Sequence, residues 1–408
     1  MSILVLNNSY KNLDKISFIL SGSKSISHRA LVINYLQKNN LSIKNLSNSQ
    51  DTYVFSRALD SSNHIIDLKQ SGTAMRFLLS LFALEKNNIS FTGDNFLFKR
   101  PISELIYALK KLGAKIESNS SGILISKKID FSTNKIDLSS NHTSQYISSL
   151  LLIAPYFPKG LELIFNQNMY SNPYIDMTVS MMKNCGAILS VNKNKIIVKP
   201  VKYNSFISLI ESDWTSASYL IAAFLFSKFK SMDIKSLFSN SIQGDIMVLD
   251  FFALFGVSAT FKNDTLILKK NKDDAIPQKI EWDFRNNPDL FPTFLIVCFA
   301  LGVELVASGV KNLIYKESNR IECLKKELLK FNCKLFVKSS DCVFIKSNHS
   351  HISDQVISID THNDHRIALS FSILSVIGYK LKVNNMEVIS KSYPNFTTDL
   401  TKFGVIIN

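Results

Sequence analysis

The chain has 408 residues, of which 46% are hydrophobic and 20% charged, a composition that excludes a disordered protein and fits a soluble globular one. Its length favours two domains over one core. The formal charge of +14 points to anionic partners, but the lysines are spread among Asn and Ile without a Lys/Arg block, so a nucleic-acid-binding face is not expected.

Five cysteines (Cys185, Cys298, Cys323, Cys333, Cys342) form no C-x-x-C pair and leave one over, as in a reduced cytosolic enzyme. The start, Met1-Ser-Ile-Leu-Val-Leu-Asn-Asn, lacks the pattern of a signal peptide. The longest apolar run, residues 291–303, is too short to span a bilayer. A cytoplasmic protein with no membrane partner is expected.

Residues 3–6 and 16–20 read as two short strands. They precede Leu20-Ser-Gly-Ser-Lys24-Ser25-Ile26-Ser27-His28-Arg29, which runs into the apolar helix of residues 30–36. The free N–H groups of a helix start favour an anion, and Lys24 and Arg29 add two cations. The stretch is not a P-loop, because Lys24 does not follow a Gly.

Downstream, one unit recurs: a helix closed by Gly or Asn, then two short strands around a polar turn. The closing residues are Gly113, Gly186, Gly256 and Asn332, at intervals of 73, 70 and 76 residues. Gly and Asn suit the left-handed backbone that ends a helix before a strand. Interleaved with these are six apolar helices that open on polar clusters: Ser25-Ile-Ser-His, Ser71-Gly-Thr-Ala-Met-Arg76, His142-Thr-Ser-Gln-Tyr146, Ser212-Asp-Trp-Thr-Ser-Ala217, Asn287-Pro-Asp-Leu290 and Asn363-Asp-His-Arg366. Helices apolar on every face must be buried with only their starts wet. Each start is explained singly as a cap; six together suggest helix ends aimed at a common anion. The reading is an α/β fold of six similar units, three per domain, with the crossover within residues 202–213.

Cations recur at the unit edges: Lys24/Arg29, Arg76, Lys99-Arg100-Pro101, Lys316-Glu317-Ser-Asn-Arg320, Asp364-His365-Arg366 and Lys391-Ser-Tyr-Pro394. Arg forks carboxylates and phosphates, whereas Lys supplies a point charge or a tunable proton. The mixture suits a ligand with several anionic groups, although any one pair reads equally as solvated surface charge. Asp289 reads either as a cap after Pro288 or as a site residue. His349 and His351 sit in a polar loop without acidic or Cys partners, so no metal site is expected. His365 is placed to orient a neighbour.

These residues, with Thr143-Ser-Gln145, Ser171-Asn-Pro-Tyr174 and Gln243-Gly-Asp245, occur in the order found in the 5-enolpyruvylshikimate-3-phosphate synthase family, which the chain resembles over nearly its whole length. The resemblance implies an inside-out α/β barrel of two domains, each of three βαβαββ units with buried helices, and an active site in the cleft between them. It places residues 20–211 in an N-terminal domain, and 1–19 with 212–408 in a C-terminal one. It implies transfer of the enolpyruvyl group of phosphoenolpyruvate to the 5-hydroxyl of shikimate 3-phosphate, with release of phosphate. No metal, organic cofactor or partner subunit is implied, so a monomer is expected.

By motif position, Ser25, Arg29, Thr143, Ser144, Ser171, Tyr174, Asn312 and Lys316 would hold shikimate 3-phosphate. Gly72, Arg100, Arg320, Arg366 and Lys391 would hold phosphoenolpyruvate, and Lys24 and Gln145 would touch both. Asp289 would be the base for the 5-hydroxyl. Glu317, helped by Lys24 or Lys391, would manage the proton at the methylene carbon. Four positions depart from the family pattern. Thr143 replaces Ser, His28 replaces Asn, and Asn319 replaces an Asp, which would cost Arg320 a charged neighbour. Phe77 replaces Pro and would shift the helix carrying Gly72. A sister enzyme that uses UDP-N-acetylglucosamine is the nearest alternative, but it would carry Lys-Asn near position 24 and a Cys before Arg100, and both are missing here.

Overall fold

The computed structural model describes residues 2–6, 14–38, 42–94, 96–138, 144–165, 172–271, 275–346 and 355–408, and in it the recurring sequence pattern becomes a recurring sheet. The chain divides into a continuous unit, residues 22–210, and a discontinuous unit, residues 1–21 with 211–408. The continuous unit carries α1 (Lys24–Leu36), α2 (Gln50–Asp60), α3 (Gly72–Glu85), α4 (Ser103–Lys111), α5 (Ser144–Ile153) and α6 (Pro173–Asn184). The discontinuous unit carries α7 (Trp214–Phe226), α8 (Val248–Ala253), α9 (Phe291–Leu301), α10 (Arg320–Leu329), α11 (His365–Ser372) and α12 (Phe396–Thr401).

The repeat is plainest around α9 and α10. Strand Lys279–Asp283 leads through α9 to a parallel neighbour, Glu304–Ser308, and α10 then feeds a hairpin of Lys334–Ser339 and Cys342–Lys346. The last strand turns back to pair with Glu304–Ser308, so the sheet order is first, second, fourth, third. A parallel pair needs a crossover and a hairpin does not, and the unit uses one of each. The same order recurs around α3 and α4 (Ile65–Asp67, Ile89–Thr92, Lys115–Asn119, Gly122–Lys127) and around α5 and α6 (Lys135–Leu138, Leu161–Phe165, Leu189–Asn192, Lys195–Val198).

Two further sheets, both in the discontinuous unit, borrow a strand from the start of the chain. Lys15–Ile19 runs parallel to Ser231–Lys235, and Ser2–Leu6 lies antiparallel between Lys380–Asn384 and Val405–Ile407. The sixth repeat, around α1 and α2, shows among the described residues a single parallel bridge, Lys44 to Leu209.

The expected helix closures are present. Gly113, Gly186, Gly256 and Asn332 have φ of 101°, 93°, 73° and 57°, in the left-handed region. A fifth closure, Gly404 at 90°, ends α12 and was not expected. The apolar helices are buried as anticipated: α3 is covered from Ala74 to Leu84, and α9 from Phe291 to Phe299. Side-chain capping is more selective than six polar starts suggested. Ser71, Asp213 and Asp364 accept from Ala74, Ser216 and Arg366 backbone N–H groups, whereas Ser23 and Asn287 accept none. No helix among the described residues is long and apolar enough to cross a membrane.

Candidate active site

Many of the expected site residues lie at helix starts in one unit or the other. In the continuous unit, α1 opens with Lys24, whose Nζ lies 3.0 Å from Asp51 at the start of α2. Sequence reasoning missed Asp51, because nothing in the sequence links it to a lysine 27 positions earlier. One turn on, Arg29 is 2% exposed and held on several sides. Its Nε donates to Thr178 Oγ1 at 2.7 Å, Nη1 to the Ser25 carbonyl at 2.7 Å, and Nη2 to Ser148 Oγ at 3.2 Å and the Tyr174 carbonyl at 3.0 Å. The Phe77 ring packs against this guanidinium, with its centroid 5.3 Å away, so the departure at Phe77 reaches the Arg29 pocket. Burial pushes Arg29 down to about 10, still charged at neutral pH.

At the start of α3, two arginines approach Gly72 closely. A Cβ there would stand 2.4 Å from Arg100 Nη1 and 3.0 Å from Arg76 Nη1. Two guanidinium groups therefore lie against this helix start, and an added methyl group would have to displace them. Arg76 donates to the Gly72 carbonyl, to the Pro101 carbonyl and to Gln145 Oε1, and Gln145 in turn donates to Thr73 Oγ1. Ser144 and Gln145 open α5, and Tyr174 lies in the first turn of α6. Thr143 and Ser171 lie outside the described residues, as do His349 and His351.

In the discontinuous unit the centre is Arg320, 1% exposed at the start of α10. Three carboxylates hold it: Asp364 from Nε at 2.9 Å, Asp289 from Nη1 at 2.8 Å and Glu317 from Nη2 at 2.8 Å. The charge that Asn319 does not supply to Arg320 comes from these three carboxylates. Asn319 caps α10 by accepting from the Glu322 N–H, and other carboxylates hold the arginine. Asp289 is also not the cap of its helix. Its carboxylate bridges Arg320, Arg366 Nη2 at 2.7 Å and Lys316 Nζ at 3.3 Å. Burial alone would raise its pKa, but Arg366, Lys316 and Arg320 outweigh that and hold it well below the usual carboxylate range.

Arg366 also donates to Tyr219 Oη at 3.3 Å. Lys391 donates to the Asn363 carbonyl at 3.2 Å, and Asn312 is exposed on the 3-10 turn Lys311–Tyr315. Glu317, Asp364 and His365 bring ligand-type atoms within 4.8 Å of one another, but the two carboxylates already hold Arg320, so the cluster is an arginine clamp.

Asp245, the last residue of the Gln243-Gly-Asp245 motif, lies near the start of α7. It is 7% exposed and accepts from Thr215 Oγ1 in the first turn of α7. Burial, reinforced by the Asp289 charge, pushes it up to about 7. His28 is displaced in the opposite sense for a base: its buried ring meets Thr52 Oγ1 at 3.1 Å, and burial lowers it from 6.5 to about 3.

These two groups tilt stability in opposite directions. Between about pH 3 and 6.5 the unfolded chain binds a proton at His28 that the folded chain refuses, so stability falls as pH falls. Between about pH 4 and 7 the folded chain keeps a proton on Asp245 that the unfolded chain releases, so stability falls as pH rises. Each slope is about 1.4 kcal/mol per pH unit inside its window. Relative to the parent, His28→Gln should melt higher at pH 4 than at pH 7, and Asp245→Asn should gain at pH 8 and little at pH 4. Melting curves at these pH values check both, and a pH-independent offset in either variant counts against the assignment.

A βαβαββ fold with cations gathered at helix starts in both units is that of an enolpyruvyl transferase. Two solved structures share it over the whole chain: an EPSP synthase of Acinetobacter baumannii (TM-score 0.75, 19% identity, 100% of this chain and 99% of that one) and the enolpyruvyl transferase NikO of Streptomyces tendae (TM-score 0.72, 13% identity, 100% and 98%). The family model for EPSP synthase (3-phosphoshikimate 1-carboxyvinyltransferase) matches residues 55–400. A 3-phosphoshikimate 1-carboxyvinyltransferase of Bacteroides fragilis (strain YCH46) is 35% identical over 395 residues, covering 96% of this chain and 95% of that protein. One of Buchnera aphidicola subsp. Schizaphis graminum is 31% identical over 418 residues, covering 94% and 95%. The chain belongs to the EPSP synthase family.

Proposed function

We propose that the chain transfers the enolpyruvyl group of phosphoenolpyruvate to the 5-hydroxyl of shikimate 3-phosphate and releases phosphate. Ser25, Arg29, Thr143, Ser144, Ser171, Tyr174, Asn312 and Lys316 bind shikimate 3-phosphate. Gly72, Arg100, Arg320, Arg366 and Lys391 bind phosphoenolpyruvate, and Lys24 and Gln145 contact both. The observation that carries this reading is the Asp289 carboxylate held by Arg320, Arg366 and Lys316.

Such a carboxylate is a weak base while three cations surround it. When the carboxylate and phosphates of the substrates take up Arg366 and Lys316, that stabilisation is withdrawn and the Asp289 pKa rises towards its working range. Asp289 then accepts the 5-hydroxyl proton as the oxygen attacks C2 of phosphoenolpyruvate. A proton from Glu317, relayed with Lys24 or Lys391, completes the methyl group of the adduct. In the elimination the same group removes a methyl proton, the C–O bond to phosphate breaks, and the enol ether forms. The cations at Arg100, Arg366 and Lys391 stabilise the departing phosphate.

The test is phosphate release. It should require both shikimate 3-phosphate and phosphoenolpyruvate, and UDP-N-acetylglucosamine should not replace the former. Absence of release with both substrates sinks the reading. Gly72→Ala would drive a methyl group into Arg100, so the KM for phosphoenolpyruvate should rise by about 10²-fold. Steady-state kinetics should show shikimate 3-phosphate affinity unchanged in that variant.

A further inference from the structure

Arg29 and Arg320 are both buried arginines, and the structure treats them in opposite ways. Arg320 is neutralised by three carboxylates, whereas Arg29 makes no ion pair among the described residues. Its partners are two hydroxyls and two backbone carbonyls, all neutral. Burying a cation without a counter-charge is costly, and neutral dipoles ease that cost while leaving the charge in place. Four of the five N–H groups are used in this way, and the fifth, on Nη1, has no partner among the described residues. The arrangement fixes where the guanidinium points and keeps its charge for an anion.

Thr178 is the centre of that arrangement. It lies on α6 one turn after Tyr174, and its Oγ1 is within 2.8 Å of both the Tyr174 carbonyl and Ser148 Oγ on α5. Its single hydroxyl hydrogen is taken by one of these acceptors, which leaves a lone pair facing Arg29 Nε at 2.7 Å. Ser148 accepts from Nη2 of the same group. One hydroxyl pair thus ties α5 and α6 to a cation on α1.

We propose that Thr178, supported by Ser148, is a positioning residue that aims the Arg29 guanidinium at an anionic group of shikimate 3-phosphate without neutralising it. The inference rests on the assignment of Arg29 to that substrate under Proposed function.

The test compares Thr178→Val, Thr178→Ser, Ser148→Ala and Arg29→Lys by steady-state kinetics and by direct titration with shikimate 3-phosphate. Thr178→Val removes the acceptor and keeps the shape. It should weaken shikimate 3-phosphate binding about tenfold, with kcat within about threefold and the KM for phosphoenolpyruvate unchanged. Thr178→Ser restores the hydroxyl and should bind like the parent, which a packing role alone would not produce. Should Thr178→Val fail to fold, Ser148→Ala carries the same expectation, a selective loss of shikimate 3-phosphate affinity. If Arg29→Lys weakens binding and neither hydroxyl variant does, the positioning role is overturned and the Arg29 assignment stands. If Arg29→Lys binds shikimate 3-phosphate normally, the assignment fails and the inference fails with it.

Discussion

Asp289→Asn is expected to lower turnover by about 10²–10⁴-fold while the protein still binds shikimate 3-phosphate. Asn preserves the shape of the side chain but cannot take the 5-hydroxyl proton. Because the Asp289 carboxylate serves as a counter-charge and not as a cap, the change also affects stability. Arg366 and Lys316 lose their shared carboxylate, whereas Arg320 keeps Glu317 and Asp364. A loss of about 1–2 kcal/mol is expected, smaller than for a buried pair broken outright. The two effects separate at saturating substrates, which supply the missing negative charge and should restore the melting temperature but not the rate. Phosphate release from a single turnover, measured beside a melting curve, decides it. Near-normal turnover would make Asp289 a counter-charge only, and the base would have to lie elsewhere.

The repeat was legible in the sequence because its punctuation is conformational. Gly113, Gly186, Gly256 and Asn332 occupy backbone that most side chains avoid, so the residue types mark the positions. Gly404 does the same at the end of α12 but escaped notice, because the strand that completes its hairpin, Ser2–Leu6, comes from the opposite end of the chain. Strand Lys15–Ile19 likewise joins Ser231–Lys235, and no local pattern announces a partner so far away.

The site divides in the same way. Helix starts rich in hydroxyls and cations are local features, so Lys24, Arg76, Asp289 and Arg366 could be singled out from the residues around them. What each cation pairs with depends on packing. Lys24 meets Asp51 across 27 positions, Thr215 meets Asp245 across 30, and Arg29 meets Thr178 across 149. The three carboxylates that hold Arg320 were not legible in the sequence for this reason. Its adjacent Asn319 is legible, whereas Asp364 is 44 positions away and reaches it only once α10 and α11 have packed.

Arg320→Gln should produce a large loss of stability in the discontinuous unit. The guanidinium is the shared partner of Asp289, Glu317 and Asp364, and Asp364 is fully buried. Without it three carboxylates remain close together with little water and no cation common to all of them. Breaking a buried pair from one side costs about 3–5 kcal/mol, because the desolvated charge left behind has nothing to offset it. At about 2–4 °C per kcal/mol for a unit of this size, the melting temperature should fall by roughly 10 °C. The sign of the pH dependence identifies the cause. With the cation gone, burial and mutual repulsion raise the carboxylate pKa values in the folded state, so the folded variant binds protons that the unfolded chain releases. Stability relative to the parent should therefore recover as pH is lowered from 8 towards 5. A second substitution, Asp364→Asn in the same chain, should recover part of the loss at pH 8 by removing one of the stranded charges. A deficit that stays constant across this pH range would show that Arg320 holds the fold through its packing and not through its charge.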